Sequence, residues 1–156
     1  MNIQEKSKIE YRSRINRVMD YIDMHLGQPL ELKGIAEIAN FSPFHFHRIF
    51  TFLIGETPID YIQRLRVEKA AWKLQNEPSL PVTEIAYSCG FGSISLFSRT
   101  FKKYFDITPT QFGKEEKPIY AHHGMLFSKN GQMLRKNLTS KTDYDSDRSE
   151  EHTSEF

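Results

Sequence analysis

The sequence has a single cysteine, Cys89, among its 156 residues. An internal disulfide is therefore impossible, and a lone thiol fits a reducing compartment. Also missing is any apolar run long enough to cross a bilayer. The opening residues, MNIQEKSKIEYRSR, hold no apolar stretch of the kind a secretory signal needs. The expected location is the cytoplasm, with no membrane partner. Charge of one sign is scarce as well: 21 Lys and Arg face 20 Asp and Glu, a formal net charge of +1. The sum thus offers no support for nucleic acid, because affinity depends on where the cations sit. Their distribution is uneven. Residues 1–115 carry 15 basic against 13 acidic side chains, whereas Thr142 to Phe156 carries one basic against six acidic.

Catalytic arrangements are equally absent. No nucleophile lies in a pattern with a base, no glycine-rich stretch suggests a phosphate loop, and no carboxylates pair at catalytic spacing. No enzymatic activity and no cofactor are expected. His45 and His47 invite a metal reading, but two residues apart on a helix they point about 200° away from each other. His122 and His123 have no cluster around them, so no metal site is expected. Cys89 stands where a turn wants a small side chain, and packing is its expected role.

Against these absences stand 38% hydrophobic and 13% aromatic residues, twelve of them Phe. That is enough apolar material for a packed core. Ile15, Val18, Met19, Ile22 and Leu26 recur at helical spacing and predict a helix over residues 11–26, with Gly27 as its stop. Leu32, Ile35, Ala36 and Ile38 predict a short helix ending near Asn40. Ser42 and Pro43 restart a helix bearing Phe46, Ile49, Phe50 and Leu53, which halts at Gly55. Thr57 and Pro58 open a long helix to about Asn76, with Asp60 in a capping-box position. On it Arg64, Arg66, Lys69 and Lys73 alternate with apolar residues and read as a solvated face. Val82, Ile85 and Ala86 predict another short helix and Cys89-Gly90 a turn. Ser93 then caps a helix carrying Phe97, Phe101 and Tyr104, and Thr108-Pro109 caps a last one around Phe112.

The strongest signal is internal repetition. LKGIAEIANF (32–41) aligns with VTEIAYSCGF (82–91) at an offset of 50. After one inserted residue the offset becomes 51, and Ser42 meets Ser93, Phe46 meets Phe97, Arg48 meets Arg99, Phe50 meets Phe101 and Thr57-Pro58 meets Thr108-Pro109. A duplicated pair of short helices joined by a tight turn has the geometry of helix-turn-helix, whose second helix lies in the major groove. Ala36 and Ala86 are small enough to let each pair cross closely. The linking helix, at about 20 residues and 1.5 Å per residue, would span about 30 Å, close to the ~34 Å turn of B-DNA. A duplicated hairpin that only packs, or that docks on a protein partner, is the competing reading. Shared placement of Arg48, Arg99, Lys102 and Lys103 with the two helix N-termini would decide against it.

The strings IAEIANFSPFHFHRIF (35–50), GETPIDYIQRLRVEKA (55–70) and IAYSCGFGSISLFSRTFKKYFDITPTQF (85–112) resemble the DNA-binding domain of AraC/XylS-type regulators across residues 10–115. The resemblance implies an all-α fold of seven helices: two helix-turn-helix subdomains, homeodomain-like, joined by a long linker helix and followed by an irregular tail. It places a domain at 8–115 with units at 30–55 and 81–106. It further implies double-stranded DNA as partner, bound by a monomer, and transcriptional control, most often activation through RNA polymerase. Carried over by position, the first recognition helix would present Phe44, His47 and Arg48, and the second Ser93, Ile94, Ser95, Leu96 and Arg99. An arginine on such a helix can pair bidentately with guanine O6 and N7. Amide groups at the Ser42 and Ser93 helix starts could bind phosphate, as could Lys102 and Lys103.

Beyond Glu115 the text changes. Residues 116–147 resemble a connector to, or the start of, a truncated GyrI-like effector-binding domain, which would bring a small-molecule effector to the intact parent. Thr139 to Phe156 has almost nothing to bury and reads as disordered. RSEEHTSE (148–155) resembles translated sequencing-adapter oligonucleotide, so residues 148–156 are expected to be an artefact.

Overall fold

The computed structural model describes residues 2–115; the connector, tail and His122-His123 expectations lie outside them. Within these residues the chain forms seven helices and no strand. The helices are α1 (Ile3–Met24), α2 (Leu32–Ile38), α3 (Pro43–Ile54), α4 (Pro58–Asn76), α5 (Val82–Ser88), α6 (Ile94–Phe105) and α7 (Pro109–Lys114). They belong to two units. Residues 2–24 and 30–59 make the first; residues 25–29 and 60–115 make the second.

In the first unit α1 buries Ile15, Val18, Met19 and Ile22, the face its periodicity marks. These meet Ile35, Ala36 and Ala39 of the α2 region and Phe41, Phe46 and Phe50, all 8% exposed or less. The helix starts eight residues earlier than the apolar pattern predicts. Asn2 Oδ1 accepts from the Glu5 amide at 2.8 Å, and Glu5 Oε2 accepts from the Asn2 amide at 3.0 Å, a reciprocal cap built of local polar residues. It also ends earlier, at Met24, and Leu26 is buried in the second unit instead.

The second unit is built on aromatic rings. Phe91 meets Phe97 at 5.1 Å between centroids, Phe97 meets Phe101 at 5.7 Å, and Phe101 meets Phe112 at 5.3 Å, mostly edge-on or tilted. Val67, Ala70, Ala71, Leu74, Ile85, Ala86 and Cys89 complete this core. Four of the twelve phenylalanines, Phe46, Phe50, Phe97 and Phe101, lie on the matching buried faces of α3 and α6.

Two expectations for α4 need correction. Arg64 is not on a solvated face: it is 2% exposed, and its Nη1 lies 3.2 Å from Glu68 Oε2, one turn on and fully buried. Its guanidinium also stands 5.6 Å from the Tyr61 ring centre. Arg66 is half-buried, with Nε donating to Leu26 O at 2.9 Å and Nη2 to Gln28 O at 2.8 Å. Burial lowers its pKa from the ordinary value, an effect that Cys89 opposes. Buried residues run round the whole circumference of α4, so the alternation of charge and apolarity there does not mark a wet side.

Candidate nucleic-acid interface

Each unit contains one helix-turn-helix, and the two turns are built alike. In the first, the Phe41 amide donates to Ala36 O at 3.0 Å and the Asn40 amide to Glu37 O at 3.0 Å. In the second, Phe91 donates to Ala86 O at 3.1 Å and Gly90 to Tyr87 O at 3.0 Å. These are Schellman closures, with Asn40 (φ 56) and Gly90 (φ 97) in the left-handed position that such closures require. The buried Phe41 and Phe91 follow and anchor each turn. The 50-residue offset therefore holds in the hydrogen bonds as well as in the letters.

The second helix of each unit starts on a serine. Ser42 Oγ accepts from the His45 amide at 3.3 Å, and Ser93 Oγ accepts from the Leu96 amide at 3.1 Å. Pro43 occupies the first turn of α3, where its missing N–H costs nothing. Each helix then stops at a left-handed residue, Gly55 (φ 87) and Asp106 (φ 66), again 51 apart. Ser42→Ala and Ser93→Ala should each cost about 1 kcal/mol. Chemical denaturation would check this; a loss of under a few tenths would mean that the hydroxyls cap nothing of value.

On α3, Phe44 is 74% exposed, Arg48 is exposed, and the Arg48 guanidinium lies 5.8 Å from the Phe44 ring centre. His47 is half-buried. His45 turns away, edge-on to Phe41 at 4.8 Å and to Tyr11 at 5.7 Å. His47, Arg48, Thr51 and Phe52 help line a hollow along this helix. On α6, Ser93, Ser95, Arg99, Lys102 and Lys103 are all exposed, and Arg99 Nε reaches back to Ser95 O at 3.5 Å. Ile94 and Leu96 are only half-exposed and pack against the second unit's core, leaving each a reduced outward surface. Burial pushes the Cys89 thiol up, with Ser88 and two lysines opposing, and its side chain is packed in that same core. Among the described residues no three His, Cys, Asp or Glu side chains come together as metal ligands, and no described helix is long and apolar enough to cross a membrane.

Sequence reasoning passes over the residues that brace the two turns. In the first unit Arg14 lies 4.9 Å from the Phe41 ring centre, with Nη1 donating to Asn40 O at 3.5 Å, and Tyr11 packs edge-on against Phe41 at 5.1 Å. In the second, Arg66 lies beside Gly90. These partners are 24 or more residues apart in sequence, beyond any local pattern. Phe52, 64% exposed, is also absent from the expected set. It falls off the face that Phe46, Ile49, Phe50 and Leu53 mark at helical spacing, and that periodicity is the signal that was available.

A helix-turn-helix domain family matches residues 35–115. The chain is 32% identical over 110 residues to the bifunctional transcriptional activator/DNA repair enzyme AdaA of Bacillus subtilis, covering 70% of this chain and 52% of that protein. It thus spans about half the length of that relative. To the multiple antibiotic resistance protein MarA of Salmonella typhimurium it is 33% identical over 116 residues, covering 70% of this chain and 91% of MarA. Among solved structures, the DNA-binding domain of the global transcriptional factor AdpA, in complex with a target DNA, matches with a TM-score of 0.61 at 25% identity. That match covers 64% of this chain and 88% of the other.

Proposed function

The chain belongs to the AraC/XylS family of helix-turn-helix proteins, and on that premise we propose that it is a sequence-specific DNA-binding regulator of transcription. In this reading α3 and α6 enter successive major grooves as recognition helices. Arg48 and Arg99 pair with guanine. Amide groups at the Ser42 and Ser93 helix starts, with Lys102 and Lys103, hold phosphates and fix the register. Phe44, His47, Ser95 and the outward edges of Ile94 and Leu96 complete the contact. The duplication supplies both reading heads, so a monomer suffices. Activation through RNA polymerase, a cytoplasmic location, the lack of catalytic activity and a small-molecule effector acting through further sequence of the parent belong to the same proposal.

The observation that carries it is the pairing of Arg48 with Arg99. They occupy equivalent positions on the second helices of two turns closed by the same hydrogen bonds, and both are exposed. The solved complex of AdpA's DNA-binding domain with DNA supports the same use of the fold.

The test is enrichment of a randomised duplex library on the protein at stated salt. Wild type should select one motif with two half-sites. Arg48→Ala and Arg99→Ala should each relax a different half-site and weaken it about 5- to 150-fold, the equivalent of ~1–3 kcal/mol. Lys102→Ala should weaken all sequences alike and flatten the salt dependence by about one unit of slope. If no duplex is enriched even at low salt, the DNA reading fails and a protein partner takes its place.

A further inference from the structure

The two reading heads share an arginine but not its neighbours. With the 51-residue offset, Arg48 corresponds to Arg99, while Phe44 corresponds to Ser95, Thr51 to Lys102 and Phe52 to Lys103. The outward face of α3 therefore carries exposed phenyl rings where that of α6 carries hydroxyl and ammonium groups. One exposed phenylalanine is unremarkable. Phe44, however, is 74% exposed within the first turn of the helix, the end that approaches base edges, and the guanidinium of Arg48 is held 5.8 Å from its ring centre.

We propose that the first recognition helix reads a pyrimidine 5-methyl group beside its guanine, Phe44 covering the methyl while Arg48 holds O6 and N7, and that the second helix reads guanine with no methyl requirement. This rests on the DNA-binding reading above. The chemistry follows from what each base edge offers. Guanine is the partner for a bidentate guanidinium, and in the major groove the thymine methyl is the apolar feature a phenyl ring can cover. A ring and a guanidinium four residues apart share one helix face, so they meet neighbouring bases together. On α6 the same arginine has Ser95 beside it, which offers no apolar surface of comparable size. Methylated cytosine carries its methyl at the same ring position and satisfies Phe44 equally.

The test uses the full chain and the duplex it enriches, with half-sites assigned by Arg48→Ala and Arg99→Ala. Replacing thymine by deoxyuridine removes only the methyl. Beside the guanine of the Arg48 half-site, this should weaken binding about fourfold, the value of one buried methyl. At the same position beside the guanine of the Arg99 half-site, where Ser95 stands for Phe44, it should change nothing. An unmethylated cytosine at that first position should bind about fourfold more weakly than 5-methylcytosine. Phe44→Ser should erase the uracil penalty, and Phe44→Ser combined with Ser95→Phe should move it to the other half-site. Both residues are exposed, so these variants should fold, and thermal unfolding would confirm it. Phe52→Ala should leave the penalty in place, since eight residues at 1.5 Å set it about 12 Å further along the helix. The proposal is overturned if uracil costs nothing in the first half-site, if the cost survives Phe44→Ser, or if it follows Phe52 instead. Those results leave the DNA reading standing; failure to enrich any duplex brings down both.

Discussion

Glu68→Ala should destabilise the second unit by about 3–5 kcal/mol, most of the stability a small domain has. Glu68 is fully buried and faces an Arg64 that is 2% exposed. Removing the carboxylate takes from the guanidinium a charged partner one turn away and leaves it in the same dry surroundings. The Tyr61 ring at 5.6 Å is a weak substitute for it. Desolvation already offsets much of the attraction between the two charges, so the pair itself is worth far less than the penalty for breaking it. That distinction can be measured. Arg64→Met with Glu68→Leu keeps similar volume and removes both charges, and it should be less destabilising than either Glu68→Ala or Arg64→Ala. Denaturant unfolding of the wild type, the two single variants and the double variant makes the comparison. A Glu68→Ala cost under 1 kcal/mol would mean that water reaches the pair, and the buried description of α4 would be wrong. If the double variant is stable yet binds DNA poorly, the pair serves to position α4 rather than to hold it folded.

That pair also shows where the sequence stops being readable. Helix starts are written locally: Ser42, Ser93 and Thr108 each accept from the third amide onward, and at Thr108 the Gln111 side chain answers as a full capping box. The repeat is legible because both copies need the same small residue at Ala36 and Ala86, the same phenylalanine after the turn and the same left-handed positions. On these features the expected helix-turn-helix fold was readable, and so were the exposed Arg48 and Arg99. Charge on α4 was not. Whether a lysine or arginine is wet depends on what else is packed around it, and Arg66 finds its acceptors at Leu26 and Gln28, about forty residues back. The start of α1 escaped for a different reason: its Asn2–Glu5 cap is local, but the first turns carry few buried side chains and so no apolar pattern. At the candidate interface the polar and charged types were readable, but how far the apolar ones lean on the core was not: nothing in ISLF shows that Ile94 and Leu96 are each only half-exposed.

Gly90→Ala should be the second large effect, at about 2–4 kcal/mol. Two terms add. A left-handed conformation costs an alanine about 1–2 kcal/mol, and Gly90 has φ 97. In addition, a Cβ there would stand 2.1 Å from Leu26 O and 2.7 Å from Arg66 Nε, so the turn or the 25–29 segment must shift. The shift would disturb the bonds by which Arg66 holds Leu26 O and Gln28 O. Asn40 is the control, since it occupies the equivalent turn position at φ 56 and already carries a Cβ. Asn40→Ala meets only the conformational term and should cost about 1 kcal/mol or less. Thermal or denaturant unfolding of both variants separates the terms, and equal losses would show that the close approach at Gly90 relaxes freely. The difference also accounts for the two residue choices. Both turns ask for a residue tolerant of positive φ, which asparagine and glycine supply. At the second turn a carbonyl and a guanidinium press on the Cβ position itself, and there the side chain must go.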